Sequence, residues 1–491
     1  MNGDDKAKTH NTPKVEISVR NFGPIAEADL DLRPLTVFVG PSNTGKTYLS
    51  VLIYALHRIF GEFSGFVLSH TLRLLGTGLD YDPPVDKKVL LEQFNKANWD
   101  QPFKFSDLPQ GVSKRAQTSL NTPYFFGPDL KTELLRCFDL DSLSGLIQSP
   151  NNQNDNITIA LRVNEADQNL WSLRIGASKS EITLDDGNIN ENTIIFPADQ
   201  LPSTSLINSD DTTTLLSEHR RYAEKSYYLP AARSGIIQSH PVIASSLVAR
   251  STRTGLETAE LSTLSGVVAD FIEKLILYEG HTRLRERAKP NDGLNHVAKA
   301  LEDNVLAGQI IMNPSPTGYP EFVYRPQGTE QDMRMTRSSS MVSELAPLVL
   351  FIRGLVRPGD TLIIEEPEAH LHPAAQTQMA ATLARLVRAG VRVLVTTHSD
   401  FMLQEIGNLM RVGMLKEKDT LKKETNDWLS PEEVGAWHFQ NGQPVKEIQF
   451  DHTVGIEPED YEDVVESLYN RWAGLQNRIE ELKDESEREC E

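Results

Sequence analysis

The stretch Leu35–Ser50, LTVFVGPSNTGKTYLS, limits what this chain can fold into more than any other. Leu35 to Val39 is a short apolar, β-branched run and reads as a buried strand. Gly40, Pro41, Ser42, Asn43, Thr44, Gly45, Lys46 and Thr47 then spell G-x-x-x-x-G-K-T, and apolar residues recur at helical spacing from Lys46 onward. A strand, a glycine-rich loop and a helix in that order are the setting a phosphate-binding loop needs. Gly40 and Gly45 let the backbone turn its N–H groups inward around a polyphosphate. The helix presents its positive N-terminal end. Lys46 supplies a point charge for the terminal phosphates, and the Thr47 hydroxyl a ligand for Mg²⁺. The alternative is a chance match in a glycine turn, and the flanking strand and helix argue against it.

Three segments downstream extend the pattern. Leu362–Pro373 reads LIIEEPEAHLHP, an apolar strand ending in two acids, which is the shape of a Walker B segment. Glu365 is placed to hold the Mg²⁺ shell through water, and Glu366 to polarise an attacking water. Val393–Asp400, VLVTTHSD, is a buried strand that delivers Thr396, Thr397 and His398 to its C-terminal edge. Ligands sit at that edge in open α/β sheets, and a histidine there can hydrogen-bond a γ-phosphate or the attacking water. Met335–Leu348, MTRSSSMVSELAPL, sets three serines before a helix. Their hydroxyls and the free N–H groups make an anion site, although the same residues also fit a plain capping box.

The rest of the chain supports an α/β fold. Val15–Val19 and Ala26–Leu32 alternate as a strand pair around Gly23-Pro24, and Tyr227–Gly235 is a strand that stops at Pro230 with Arg233 just beyond. Residues 241–308 look helical, while Ile310–Met312 and Glu321–Tyr324 read as two strands. Helices at Met341–Leu355 and Ala374–Ala389 then alternate with buried strands at Thr361–Ile364 and Val391–Val395. That alternation predicts a largely parallel sheet with helices on its faces.

The remaining segments divide the chain. Residues 61–225 read as an inserted mixed α+β lobe, either structural decoration or a recognition surface. Within it we expect a short helix at Leu68–Leu75, a turn at Asp80–Pro84, a polar loop at Pro150–Asn156 and a break at Ser203–Thr214. A meander of Ile157–Val163, Trp171–Ile175 and Glu181–Leu184 belongs to the same lobe. Val434–Phe439, the Asn441-Gly442 turn and Val445–Phe450 predict a hairpin. Tyr461, Val465, Leu468, Trp472, Leu475, Ile479 and Leu482 form a heptad seam. That seam either covers its own domain or docks a partner. The expected division is a disordered lead-in at 1–13, one ATPase head in two parts at 14–60 and 226–415, the insert at 61–225, and a C-terminal hairpin and helix at 416–491.

Composition narrows the function classes. A formal net charge of −20 over 491 residues argues against a surface coated for DNA binding. Cys137 and Cys490 are too few for a disulfide framework, which fits a cytoplasmic location. The polar N-terminus lacks the apolar stretch of a signal peptide. Glu344 and Arg353 interrupt the longest apolar run, Met341–Val356, so no membrane span is expected.

In this order and spacing, NFGPI, the phosphate loop, YLPAAR, SSSMVSEL, IIEEPEAHLHP and TTHSD resemble the ABC/SMC-type ATPase heads. More narrowly they are similar to the AAA-family ATPases related to RecF and OLD. The resemblance covers residues 14–60 and 226–412 and implies an ABC-type P-loop head that binds ATP with Mg²⁺. It places Ser339 and Ser340 in the signature segment that contacts the nucleotide of a second subunit. Ala369–His372 falls at the D-loop, His398 at the H-loop, and Arg233 or a neighbour near the Q-loop. The chain departs from the pattern at Met341 and Val342, where the signature has a glycine pair, at Glu365, where Asp is usual, and at Thr44, where Gly or Ser is common.

Such heads imply a homodimer or higher homo-oligomer with ATP sandwiched between subunits. OLD-type proteins often carry a TOPRIM nuclease after the H-loop. No D-x-D pair follows a strand after His398, so the effector is expected in trans, as a TOPRIM or HNH nuclease. The PARIS and Septu ATPases of bacterial anti-phage defence are of this kind, with a phage protein or DNA as the trigger. The rival readings are a RecF-like DNA-repair ATPase, a near-inert ATP-binding scaffold and, less well supported, a transporter subunit.

Overall fold

The computed structural model describes residues 14–60, 101–147, 156–165, 168–178, 181–196, 225–251, 264–280, 292–313, 320–417, 427–456 and 467–479, with single positions 67, 92, 93, 96, 282 and 458. The expectations for residues 1–13, Leu68–Leu75, Asp80–Pro84 and Ser203–Thr214 lie outside these residues, as do all but Asn156 of the Pro150–Asn156 loop and Tyr461, Val465 and Leu482 of the heptad seam.

The architecture is α/β, built on a six-stranded sheet. Its strands are β3 (Leu35–Val39), β9 (Ser226–Leu229), β13 (Thr361–Glu365), β14 (Arg392–Thr397), β15 (Val434–His438) and β16 (Lys446–Ile448), in the order β16-β15-β3-β14-β13-β9. All neighbours are parallel except the β15–β16 hairpin. Parallel strands covered on both faces read as continuous apolar runs, and β3, β13 and β15 are buried at every position.

Pleating divides each strand between two hydrophobic cores. Val37, Val39, Leu362, Ile364, Val393 and Val395 face one core, whereas Phe38, Ile363 and Leu394 face the other. The described helices of ten residues or more are α1 (Lys46–Ile59), α2 (Gln110–Leu120), α3 (Pro123–Phe138), α4 (Arg233–Ser251), α5 (Gly266–Ile276), α6 (Asp292–Leu301), α7 (Ser340–Gly354), α8 (Pro373–Arg388) and α9 (Asp400–Glu417), together with a C-terminal segment at 467–479. The apolar side chains of α1 join the Phe38 core, and those of α7, α8 and α9 join the Val37 core.

A second, antiparallel sheet packs on the α1 side. It runs β2-β1-β5-β6-β7 through β1 (Lys14–Phe22), β2 (Ile25–Leu32), β5 (Ile157–Glu165), β6 (Gln168–Ala177) and β7 (Ile182–Gly187). Val15, Ile17 and Val19 are buried while Glu16, Ser18 and Arg20 are less so, the one-sided pattern of an antiparallel sheet. Two small ladders complete the described strands: β4 (Phe103–Lys104) with β8 (Ile194–Phe196), and β10 (Gly308–Asn313), β11 (Glu321–Pro326) and β12 (Met333–Arg334).

Two of the expected divisions need correction. The boundary at residues 60 and 61 does not separate structural units, because β1 pairs with β5 from Lys14↔Asn164 to Arg20↔Thr158. Pairing satisfies the backbone groups of both strands and sets their apolar faces, Val15, Ile17 and Val19 beside Ile159, Leu161 and Val163, on one core. The boundary at 415 and 416 is crossed in the same way, since β15 lies beside β3 in the six-stranded sheet, with Val434↔Leu35 and His438↔Val39 in register. The expected hairpin is present, but it belongs to the head.

Candidate functional site

Strands β3, β14 and β13 are adjacent and parallel, with Val39 opposite Thr397 and Thr396 opposite Glu365. Their C-terminal ends therefore open level with one another on one edge. From that edge β3 continues into the glycine loop and α1, β13 into Glu366, and β14 into His398.

The loop backbone takes positive φ at Gly40 (137°), Asn43 (65°) and Gly45 (104°). Glycine is required at residue 40, because a Cβ there would lie 2.1 Å from the Phe439 carbonyl oxygen. Phe439 itself donates its N–H to the Val39 carbonyl at 2.8 Å, so the tail strand braces the loop from behind. Pro41, Ser42 and Asn43 form the exposed rim, and the Thr44 hydroxyl donates to the Pro41 carbonyl at 2.8 Å. Lys46 is 6% exposed, and its ammonium donates to the carbonyls of Gly40 (2.7 Å) and Pro41 (2.6 Å). Thr47 is exposed in the first turn of α1, where no acidic residue offsets the positive helix end.

Glu365 is buried, and each of its oxygens accepts one hydrogen bond. The Tyr228 hydroxyl donates to Oε1 at 2.7 Å and the Ala231 N–H to Oε2 at 2.9 Å. Tyr228 is also 3.0 Å from the Ser50 hydroxyl, which donates to the Thr47 carbonyl at 2.9 Å. The first turn of α1 is thereby tied to the first of the two acids. A carboxylate has about four lone-pair sites, so Glu365 keeps capacity for metal-bound water. Thr47 with a water-linked carboxylate fits a small hard cation that retains much of its hydration and is otherwise held by substrate phosphates.

Glu366 has φ +43°, an uncommon conformation for a residue with a side chain. Its N–H donates to the Thr396 carbonyl at 2.9 Å and reaches the Thr396 hydroxyl at 3.2 Å. The His398 Nε2 atom lies 3.7 Å from Glu366 Oε1. Burial lowers the His398 pKa below its ordinary value, the nearby Lys46 ammonium lowers it further, and Glu366 opposes both. The imidazole is therefore neutral at neutral pH, and the three groups act on one another electrostatically. Glu368, which has no assigned role in the motif reading, accepts from the His398 N–H at 2.7 Å and from the Thr397 hydroxyl at 2.8 Å. Burial pushes the Glu368 carboxyl above its usual range. Glu368, Tyr228 and Ser50 are positioning residues to which motif reading gave no role, and only the acid-rich EEPE run gave any local signal for one of them.

The structure brings Lys46, Glu365, Glu366 and His398 to the same sheet edge. Ser339 and Ser340 lie exposed on another element, the N terminus of α7, where Ser339 caps the helix through the Val342 N–H at 3.3 Å. The Ala369–His372 turn follows Glu366 directly, with Ala369 donating to the Glu366 carbonyl at 3.0 Å and His372 capping α8. Arg233 requires a correction: it does not offer its side chain to the phosphate loop. Its guanidinium is fully buried against Glu344 and the carbonyls of Pro230, Glu365 and Glu366, which take up its donors. Among the described residues no cluster of three or more His, Cys, Asp or Glu forms a metal site, and no helix is long and apolar enough to cross a membrane.

Residues 259–403 match the family model described as an AAA ATPase domain. The match includes Ser339, Glu366 and His398 and begins after the phosphate loop. No curated protein matches the chain. Among solved structures, an SMC head bound to the C-terminal winged-helix domain of ScpA is similar at 11% identity, covering 89% of this chain and 98% of that one, with a TM-score of 0.42. The SMC head domain from Thermotoga maritima is similar at 11% identity over 90% and 99%, with a TM-score of 0.35. The recombination mediator RecF is similar at 12% identity over 89% and 99%, with a TM-score of 0.33. At such low identity and TM-score, these structures carry nothing about function to this chain.

Proposed function

We propose that this chain is a Mg²⁺-dependent ATPase whose nucleotide state governs assembly of its heads and, through them, a separate effector. The observation that carries the reading is the convergence of Lys46, Glu366 and His398 at the C-terminal edge of three adjacent parallel strands. Gly40, Ser42, Asn43, Thr44 and Gly45 supply backbone N–H groups for the phosphates, Pro41 shapes the loop between them without a donor of its own, and Lys46 supplies their counter-charge. Thr47 and Glu365 would hold Mg²⁺, which when bound neutralises phosphate charge. Glu366 orients and polarises the attacking water as general base. Neutral His398 orients that water or the γ-phosphate. The exposed serine-led end of α7 suits an anion presented by a second copy, which is the basis for a dimer with nucleotide between heads.

The motif resemblance supports a finer reading: control of a TOPRIM or HNH nuclease in bacterial anti-phage defence, triggered by a phage protein or DNA, in the cytoplasm. That part rests on analogy between sites on a shared fold. Turnover assays on wild type, Glu366→Gln and His398→Ala test the chemistry. Loss of a general base lowers turnover by roughly a hundredfold or more, so Glu366→Gln is expected to retain ATP, hydrolyse it very slowly and elute as a dimer with ATP on gel filtration. Glu366→Gln turning over like wild type contradicts the assignment. Wild type that binds ATP without turnover would point instead to an ATP-gated scaffold.

A further inference from the structure

The proposed chemistry gives no role to Arg233, yet Arg233 and Glu344 are buried to 1% and 0% side-chain exposure. We infer that Arg233 is a positioning residue that couples the serine-led end of α7 to the backbone of Glu366. The inference rests on the ATPase reading above and deepens it.

One planar guanidinium joins the two elements. Its Nη2 is ion-paired with Glu344 Oε1 at 2.5 Å and donates to the Glu366 carbonyl at 2.9 Å. Its Nη1 donates to the carbonyls of Glu365 and Pro230, and Nε to the Glu344 carbonyl at 3.2 Å. Glu344 lies about one helical turn inside the end that Ser339 caps. The same cation therefore grips both the side chain and backbone of α7 and two successive carbonyls at the end of β13.

Glu366 needs such a grip. Its positive φ is disfavoured and persists only where surroundings hold it. Thr396 fixes its N–H from β14, and Arg233 fixes its carbonyl from α4. Removing the Arg233 hold leaves only the Ala369 N–H, from the following turn, on that carbonyl, so the peptide can relax and move the carboxylate relative to His398. Stability is a poor explanation for the ion pair, because a buried pair is rarely better than apolar packing of the same volume. A fixed fork of donors is a better explanation, since lysine cannot reproduce it. Displacement of α7, as by an anion seating at Ser339 and Ser340, is passed by this fork to the loop that carries Glu366.

The test uses the full chain with Glu344→Gln, which preserves volume and removes the charge, and Arg233→Lys, which keeps the charge and loses the fork. Amide hydrogen exchange on the nucleotide-free protein is read first. The Glu366 N–H is expected to exchange roughly tenfold faster in both variants while residues 40–47 keep the wild-type rate, as for a local opening. In steady-state assays, kcat is expected to fall roughly ten- to hundredfold, the scale of a misplaced catalytic group, with KM for ATP within about twofold of wild type. A purely structural pair would lower the melting temperature and leave both readouts unchanged, and that result overturns the coupling. If Arg233→Lys fails to fold, Glu344→Gln decides alone. If wild type shows no turnover, the ATPase reading fails, whereas the exchange measurement still decides whether Arg233 positions Glu366.

Discussion

Lowering the pH from 7.5 to 5.5 should destabilise this protein, and His57 carries the largest identifiable share. It sits in the last turn of α1, fully buried, and its pKa is pushed down to about 3, first by burial and then by the Arg392 charge. In the unfolded chain the same imidazole titrates near 6.5. Between those values the unfolded chain binds one proton more than the native chain, so stability falls as pH falls. At pH 7.5 both states are neutral. At pH 5.5, one unit below the unfolded value, the loss is about 1.4 kcal/mol. The window stops there because the isoelectric point is about 5.1 and near-zero charge promotes precipitation. Urea unfolding followed by fluorescence of the buried Trp171 and Trp437 reports the loss. His240 and His398 are also shifted down and add to the absolute slope, so the quantity to read is wild type minus His57→Phe at pH 7.5, 6.5 and 5.5. That difference should change by about 1.4 kcal/mol across the window. Parallel curves would refute the argument and mean that the imidazole is solvated. Because α1 begins at Lys46, acid loosens the helix on which the phosphate loop is mounted.

Three further outcomes follow from the geometry. Tyr228→Phe removes the hydroxyl between Ser50 and Glu365; it should cost about 1–3 kcal/mol of stability for the unsatisfied partner and raise the Mg²⁺ concentration needed for half-maximal turnover, and an unchanged Mg²⁺ dependence would count against Glu365 in the metal shell. Gly40→Ala places a Cβ against the Phe439 backbone at φ +137° and should lower stability by about 1–3 kcal/mol or more, whereas Gly474→Ala, with open space around it, should not destabilise the protein in the same melt. Trp472 and Leu475 are 59% and 56% exposed, so replacing both with Ser should shift stability by no more than about 0.5 kcal/mol; a larger loss would mean that this helix packs on its own domain.

Much of the site was legible because its signals are local. The strand before Gly40, the acids after Ile364 and the histidine after Thr397 each sit at the end of a continuous buried run, the imprint that a parallel strand covered on both faces leaves on sequence. Pairings between distant segments left no such imprint. Nothing near Val434 announces that it lies beside Leu35, and nothing near Lys14 announces Asn164. Arg233 misled for a related reason: a charged residue after a strand end reads as a ligand contact, and only the fold reveals Glu344 and two carbonyls waiting for it. The heptad seam gave a clear helix at 467–479, but periodicity could not say that Leu468, Trp472, Leu475 and Ile479 face solvent in this chain.

The most direct test of the account is equilibrium binding of ATP with Mg²⁺ to purified wild type and Lys46→Ala, read by titration with a fluorescent ATP analogue and competition with unlabelled ATP. If Lys46 is the counter-charge of a triphosphate held at the end of β3, wild type binds saturably and Lys46→Ala, still folded by circular dichroism, loses most of that affinity. Equal binding by the two proteins, or no Mg²⁺-dependent binding by either, would contradict the claim that this sheet edge is a nucleotide site.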